Sequence, residues 1–331
     1  MSDSCSSITA VHPDIIQTHI LTKLDGPTLV SASSVSTQLH TLCSEENLWK
    51  TICNSNWPST TDSRIQQIIS KFPSAYRSFY SDSYPTIRIS VRPKENSPEL
   101  ESTKNQTGGE LISAIDIHYG TEIIYSKVIF TDTSKSWFLS SPLRIDLLDS
   151  KEIVPTPAKF DGDEKTCMAR MEKNMRLSWI LIDPVKNRAV NLSSLTPVEV
   201  RRHWLTGEIQ VRYTTVMAAG IGGGFVKCGV DVTCGGKGGG DLHVREISMQ
   251  VEDLEGKVLS GKESMGILLD AMEGKRVNGK IDENIKMYQM FSEMRVIWRE
   301  RRQKRERRLD MVCIASGVTI FMAFWMCIFF R

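Results

Sequence analysis

The fold is decided by the stretch Pro13-Asp-Ile-Ile-Gln-Thr-His-Ile-Leu-Thr-Lys-Leu-Asp-Gly-Pro-Thr-Leu-Val-Ser-Ala-Ser-Ser-Val35. Proline suits the first helical position and an acidic residue beside it complements a helix N-terminus, so a helix starts at Pro13-Asp14. Ile16, Ile20 and Leu24 follow at i, i+4 and i+8, with Ile15 and Leu21 beside them, which is the apolar stripe of an amphipathic helix. Asp25-Gly26 ends that helix, and Pro27 opens a second one carrying Leu29, Val30 and Val35. Ser36 can cap a third, with Leu39 and Leu42. Downstream, Leu48, Trp49, Ile52 and Cys53 keep the helical spacing. Asp62 opens a helix through Ile65, Ile68, Ile69 and Phe72, and Pro73 starts another with Tyr76, Phe79 and Tyr80. Helices this short are marginal alone, so residues 11–85 must stack on one another and on a partner.

The spacing of Pro13, Ile16, Ile20, Leu21, Leu24, Leu29 and Val35 resembles the F-box, matched without a gap. Leu48-Trp49 and Trp57-Pro58 are similar to the stretch that often follows F-boxes, and the run on to the segment Phe72 to Pro85 resembles a group of plant F-box proteins. The resemblance implies that these seven residues bind an SKP-type adaptor, which connects to cullin and RING subunits of a ubiquitin ligase. Three positions depart from the common pattern: His12 where Leu is usual, Thr37 where Lys or Arg is usual, and His40 where Trp is usual. They imply a weaker adaptor interaction.

At the other end of the chain, charge and hydropathy separate sharply. The 331 residues hold 41 Lys+Arg and 39 Asp+Glu, a net charge of +2. Between Arg299 and Arg308 lie seven basic residues (Arg299, Arg301, Arg302, Lys304, Arg305, Arg307, Arg308) and two acidic ones, a local +5 that leaves the rest of the chain at −3. A mildly acidic body argues against a nucleic-acid partner. Met311 to Phe330 follows, twenty residues without a charge, about 30 Å as a helix and enough for a bilayer's hydrocarbon core. The basic block reads as a membrane-surface flank, and it places the preceding domains in the cytosol. Met1 to Ala10 has neither a basic n-region nor an apolar h-region, so it reads as a disordered terminus rather than a signal peptide. The expectation is a single-pass tail anchor, with the endoplasmic reticulum favoured over the mitochondrial outer membrane and the nuclear envelope. Eight cysteines without a C-x-x-C pair suit a reducing compartment. The sequons at Asn105 and Asn191 offer a topology test.

Between the ends the chain is strand-rich. Residues 86–110 are polar and turn-rich, a linker or loop. Short β-type runs then recur: Leu111 to Tyr119, Glu122 to Phe130, Trp137 to Leu139, Leu143 to Leu148, Leu177 to Asp183, Ala189 to Leu192, Glu208 to Met217, Phe225 to Thr233 and Leu242 to Val251. The spacing is that of an antiparallel sandwich over residues 111–275. Leu177 to Ile182, Val190 to Ser193, Trp204 and Arg245-Glu246-Ile247 are together similar to phloem-lectin-like domains of plant F-box proteins. Gly220 to Gly240 holds ten of the 22 glycines. A pyrophosphate loop there lacks its following helix and a Walker A loop finds Asp231 and Gly238 at required positions, so the segment reads as hairpin loops. The six histidines stand at no metal-ligand spacing, no G-x-S-x-G elbow occurs, and Arg201-Arg202-His203 reads as a solvated turn. No catalytic residue, metal or cofactor is expected.

Ser264 to Glu273 forms a helix stopped by Gly274. A longer helix over residues 282–310, with Met287, Phe291, Met294 and Trp298 along one seam, runs into the span at 311–330. The fold class is therefore α+β: an N-terminal helical F-box module, a central, mostly antiparallel β-sandwich-like domain, and a long C-terminal helix running into a transmembrane helix. The implied function is a non-catalytic, substrate-recruiting subunit of an SCF-type ubiquitin ligase held at a membrane, its protein substrate unspecified. A membrane-tethered carbohydrate-binding protein, or a scaffold with a vestigial F-box, is the alternative.

Overall fold

The computed structural model describes residues 11–84, 86–87, 109–149, 151–160, 163–219, 224–236, 240–274, 276–277 and 281–330. The expected disordered terminus, most of the 86–110 linker with Asn105, and two pieces of the glycine-rich segment lie outside the described residues.

The deciding stretch is helical but not one regular helix. An α-helical turn α1 (Pro13–Ile15) passes into a π-turn (Ile16–Ile20) and a 3-10 turn (Leu21–Lys23). His12, one of the three departures, caps this start: its Nδ1 accepts from the Asp14 N–H at 3.3 Å. Then come α2 (Gly26–Ser33), α3 (Thr37–Cys43), α4 (Glu46–Asn56), a 3-10 turn (Pro58–Thr61), α5 (Ser63–Ile69) and α6 (Ala75–Ser83). Ser36 caps α3 and Asp62 caps α5 as their chemistry predicts. Asp25 caps α2 rather than closing the previous helix, accepting from the Thr28 N–H at 3.0 Å. Gly26 opens α2 because the helix passes so close to Tyr80 that a β-carbon there would sit 2.1 Å from the ring. Gly26→Ala is expected to lower stability by about 1–3 kcal/mol, read as a drop in melting temperature, since the ring is walled in and cannot yield freely. Helix α6 starts at Ala75, two residues past Pro73.

The strands are β1 (Thr86–Ile87), β2 (Glu110–Tyr119), β3 (Glu122–Asp132), β4 (Arg144–Asp146), β5 (Val154–Lys159), β6 (Met175–Asp183), β7 (Arg188–Asn191), β8 (Glu199–Arg202), β9 (Ile209–Ala219), β10 (Gly224–Gly235), β11 (Asp241–Glu252) and β12 (Arg276–Val277). One sheet has the order β3-β2-β6-β7, the other β4-β11-β10-β9-β8 with β5 also on β11, and β1 pairs β12. Every pairing is antiparallel. The two larger sheets face each other across a core that includes Ile115, Trp179, Val211, Tyr213, Val230, Val232 and Ile247. This is the expected sandwich, and α9 (Gly261–Glu273) closes one end through Met265, Leu268 and Met272, started by a Ser260–Glu263 capping box.

Three expectations need correction. Trp137 to Leu139 lies in a short helix, α7 (Ser136–Ser140), because three residues are too few to distinguish a period of 2 from 3.6. Helix α8 (Glu164–Asn174), capped by Asp163, and strand β5 were not expected. Arg201 and Arg202 finish strand β8, and only His203 begins the turn.

The helical module does not hang from the sandwich. Strand alternation points Ile112, Ala114, Ile180 and Ile182 away from the sandwich core, and they share a second core with Leu21, Leu29, Trp49, Trp57 and Phe79. The fold is three-layered: sheet, sheet, helices. Polar groups lock the second interface. Asp116, buried on β2, accepts from the Ser59 N–H at 2.9 Å, from the Ser59 hydroxyl and from the Ser126 hydroxyl at 2.7 Å. The Trp57 indole N–H donates to Ser178 Oγ at 3.0 Å, and Arg188 pairs with Asp82 at 2.8 Å. Burial pushes the Asp116 carboxyl above its usual range, opposed by the Ser59 and Ser126 hydrogen bonds. A carboxyl raised in the folded state contributes stability that is complete below its unfolded pKa and is lost as pH rises through the folded pKa. The wild type is therefore expected to gain stability over Asp116→Asn as the pH falls from 7 toward about 4, as chemical denaturation at several pH values would show. Asp116→Ala, which strands the Ser59 donors, is expected to lose about 1–3 kcal/mol at neutral pH.

Candidate functional site

A helix closed by π-type i→i+5 bonds places residues five apart on one face. Ile16 and Leu21 therefore both turn inward, at 1% and 2% exposure, and Leu29 joins them at 0%. Ile20, which a regular helix would set beside Ile16, is pushed outward to 39% exposure. Ile15, Val30 and Val35 are also exposed, at 50%, 45% and 71%. Pro13 is exposed and Leu24 half-buried. The seven motif residues thus split into two sets: Ile16, Leu21 and Leu29 hold the module together, while Pro13, Ile20, Leu24 and Val35 reach solvent in whole or part.

Beneath them lies a packed aromatic core. The Trp49 indole N–H donates to the Cys43 carbonyl at 2.7 Å, and Trp49 packs on Tyr80 with ring centroids 5.2 Å apart. Trp57 meets Phe79 edge-on at 5.9 Å. Burial pushes the Cys43 and Cys53 thiols upward, so both are inert packing groups. Around the exposed residues, Gln17 bonds Glu45 and Arg77 donates to Ser44 Oγ at 2.7 Å, tying α3 and α4 to the first turn and to α6. The result is a shallow apolar surface of Ile, Val and Pro on a fixed frame. It has the chemistry of a protein-docking face.

Residues 13–55 match the F-box-like family model, which covers this surface and the helices that carry it. Over nearly the whole chain there is similarity to three Arabidopsis thaliana proteins. F-box protein At2g27310 is 43% identical, with 98% of this chain and 97% of that protein covered; probable F-box protein At2g36090 is 41% identical, with 95% and 91% covered. F-box protein At3g44326 is 36% identical, with 97% and 90% covered. The chain belongs to the F-box protein family. Membership supports a substrate-adaptor role in ubiquitin ligation, in which the F-box engages an SKP-type adaptor. No solved structure matches the chain.

In this F-box protein the second candidate region is the C-terminal helix, α10 (Ile281–Phe329), continuous over 49 residues. Its last part is long and apolar enough to cross a membrane, and none of that window is buried against the body. Arg299, Arg301, Arg302, Lys304, Arg305, Arg307 and Arg308 are all exposed. Arg302 pairs with Glu306 at 2.9 Å and reaches Glu255 at 3.1 Å.

The helix's first part packs on the outer face of the larger sheet; of the expected seam Phe291 is buried and Met287, Met294 and Trp298 are half-buried, and the contact face extends to polar residues the seam did not include. Asn284 and Phe291 are buried, and Tyr288 and Arg295 are half-buried. That added part is polar because the sheet beneath it is charged. Arg212 pairs with Asp231 at 2.7 Å and Glu199 at 3.2 Å, and the Tyr288 hydroxyl donates to Glu199 at 2.8 Å. Lys227, 5% exposed, pairs with Glu252 at 3.1 Å, and Arg295 lies 3.7 Å from the same carboxylate. Burial lowers the Lys227 pKa, and Glu252 opposes that. The sequence marks these residues only as ordinary surface charges.

Asn191 is 5% exposed, its Oδ1 accepting from the Trp179 and Ser193 N–H groups. A glycan cannot be accommodated there in the folded domain, which leaves Asn105 as the topology reporter.

Proposed function

We propose that the chain is a non-catalytic substrate receptor of an SCF-type ubiquitin ligase, held at a membrane by residues 311–330 with its folded domains in the cytosol. Pro13, Ile15, Ile20, Val30 and Val35, with the rim of Leu24, contact the SKP-type adaptor; Ile16, Leu21 and Leu29 shape that surface from below. The adaptor connects to cullin and RING subunits, which supply the catalysis. The β-sandwich, whose sequence is similar to phloem-lectin-like domains, recruits the substrate. The observation that carries this reading is the apolar surface left free by the π-turn within the family-matched segment. The basic flank Arg299 to Arg308 sits at anionic headgroups, where each residue contributes on the order of 1 kcal/mol.

Proximity labelling in plant cells, with the intact chain and a version ended at 310, tests the whole reading. The intact chain is expected to label the adaptor, the cullin and proteins of one membrane, with the endoplasmic reticulum expected. The shortened chain should keep the adaptor and lose the membrane set. An intact chain that labels no adaptor, or a membrane set that survives removal of the tail, would overturn it. An N-glycan on Asn105, detected as a glycosidase-sensitive mass shift, would invert the topology.

A further inference from the structure

Two apolar registers are written into the deciding stretch. In a regular α-helix Ile16 shares a face with Ile20, and in a turn closed by i→i+5 bonds it shares that face with Leu21. Isoleucine and leucine are nearly equal in apolar size, so placing one or the other in the core selects neither register strongly. The folded chain nevertheless takes one of them. The Leu21 N–H closes on the Ile16 carbonyl, Leu21 is buried, and Ile20 is 39% exposed.

The groups that distinguish the registers are polar. The Thr18 hydroxyl donates to the Asp14 carbonyl at 2.6 Å, and the Thr22 hydroxyl donates to the Thr18 carbonyl at 2.7 Å. These carbonyls stand on either side of the Ile16 carbonyl, where the register changes. In a regular α-helix each would receive the N–H of the same threonine whose hydroxyl it now accepts. A hydroxyl bonded back to the i−4 carbonyl competes with that N–H and bends the helix, which favours closure one residue further along. Thr18 and Thr22 are both exposed, so the bonds form outside the core. Gln17, between them and Ile16, bonds Glu45 ahead of α4 and ties the turn to the neighbouring helix.

We infer that the Thr18 and Thr22 hydroxyls are positioning groups for the adaptor-binding face: they hold the π register, and that register delivers Ile20 to the partner. The inference rests on the adaptor reading of this face and names what shapes it. Without the hydroxyls the α register becomes available, Ile20 turns inward in place of Leu21, and the face loses an apolar contact. Losing two ordinary hydrogen bonds is enough to shift a two-register equilibrium by about tenfold, and apparent affinity falls with the competent fraction.

The test uses the full chain in lipid nanodiscs with labelled isoleucine methyls, as wild type, Thr18→Val/Thr22→Val and Thr18→Ser/Thr22→Ser. Valine keeps the branched shape without the hydroxyl, and serine keeps the hydroxyl. Broadening of the Ile20 methyl signal by a soluble paramagnetic reagent reads the register, and titration with purified SKP-type adaptor reads binding. In the valine chain the Ile20 methyl is expected to become as protected as that of Ile16, and adaptor affinity to fall about tenfold. Its melting temperature should move no more than exposed substitutions move it, and the serine chain should match the wild type in all three readings. An Ile20 methyl equally accessible in the valine chain overturns the inference, and a loss of affinity alongside it marks the hydroxyls as direct contacts. A serine chain that behaves like the valine chain, or affinity that falls only in step with melting temperature, overturns it as well. A wild type that binds no adaptor overturns the adaptor reading and the binding half of this inference, while the Ile20 methyl still decides the register half.

Discussion

A chain ended at residue 310 keeps the stability of the whole soluble body, whereas a chain ended at 280 loses about 3 to 5 kcal/mol or fails to fold, because it uncovers a buried charge network. The two cuts separate the two halves of α10. Residues beyond 310 make no buried contact with the body. Residues 281–302 close the larger sheet: Phe291 is buried on it, Asn284 donates to the Ser194 carbonyl at 3.3 Å, Tyr288 bonds Glu199, and Arg295 backs the Lys227–Glu252 pair. Removing them gives back the burial of Phe291, worth about 1.5 to 3 kcal/mol, and takes one charged or polar partner from each of Glu199 and Glu252. Urea denaturation of the two truncations, monitored by Trp179 and the other buried tryptophans, measures the difference. Equal midpoints would show that α10 is an attached tether and not part of the fold. Residues 281–302 are therefore a structural element of the β domain, and α10 continues from them without a break into its apolar stretch.

The second large effect is on adaptor binding. Ile20→Asp combined with Val35→Asp is expected to reduce adaptor affinity by at least about a hundredfold, since each charge must be buried unpaired at the centre of an apolar contact. Both positions are exposed in the free chain, so melting temperature should change little, on the order of what surface substitutions give. Leu29→Asp is the contrasting case: Leu29 is fully buried, and a carboxylate there is expected to unfold the helical layer, with loss of binding following from loss of fold. Circular dichroism together with adaptor titration distinguishes the two routes. Loss of affinity with an intact fold marks a contact; loss of both marks a scaffold position.

How far the sequence could be read depended on whether local chemistry or tertiary context ruled each element. Caps were legible where the side chain and the N–H it accepts from are neighbours: Ser36 and Asp62 act where their chemistry predicts, whereas the Ser260–Glu263 capping box, which starts its helix ahead of the expected Ser264, was not read. The long strands were legible through alternation, as in Val211-Tyr213 and Val230-Val232, whose side chains enter the core. β5 escaped because its sequence, Val-Pro-Thr-Pro-Ala-Lys, places prolines where a central strand would forbid them. It tolerates them by pairing with β11 alone and turning both prolines to solvent, with Thr156 and Ala158 inward. At the candidate site, apolar spacing identified the right residues without telling the buried from the free, since the π-turn that divides Ile16 from Ile20 leaves no mark in composition. The charged seam under α10 was invisible for a related reason. Arg212, Lys227, Glu199 and Glu252 look like surface residues until α10, distant in sequence, covers them.

The most direct test of the central claim is a titration of purified SKP-type adaptor into the full-length chain in nanodiscs, followed by calorimetry, with the Ile20→Asp/Val35→Asp chain run alongside. The predicted result is one-to-one saturation in the low micromolar range or tighter for the wild type and none for the doubly substituted chain. Absence of binding by a folded wild type, or equal binding by both, would contradict the claim that this apolar face is what joins the protein to a ubiquitin ligase.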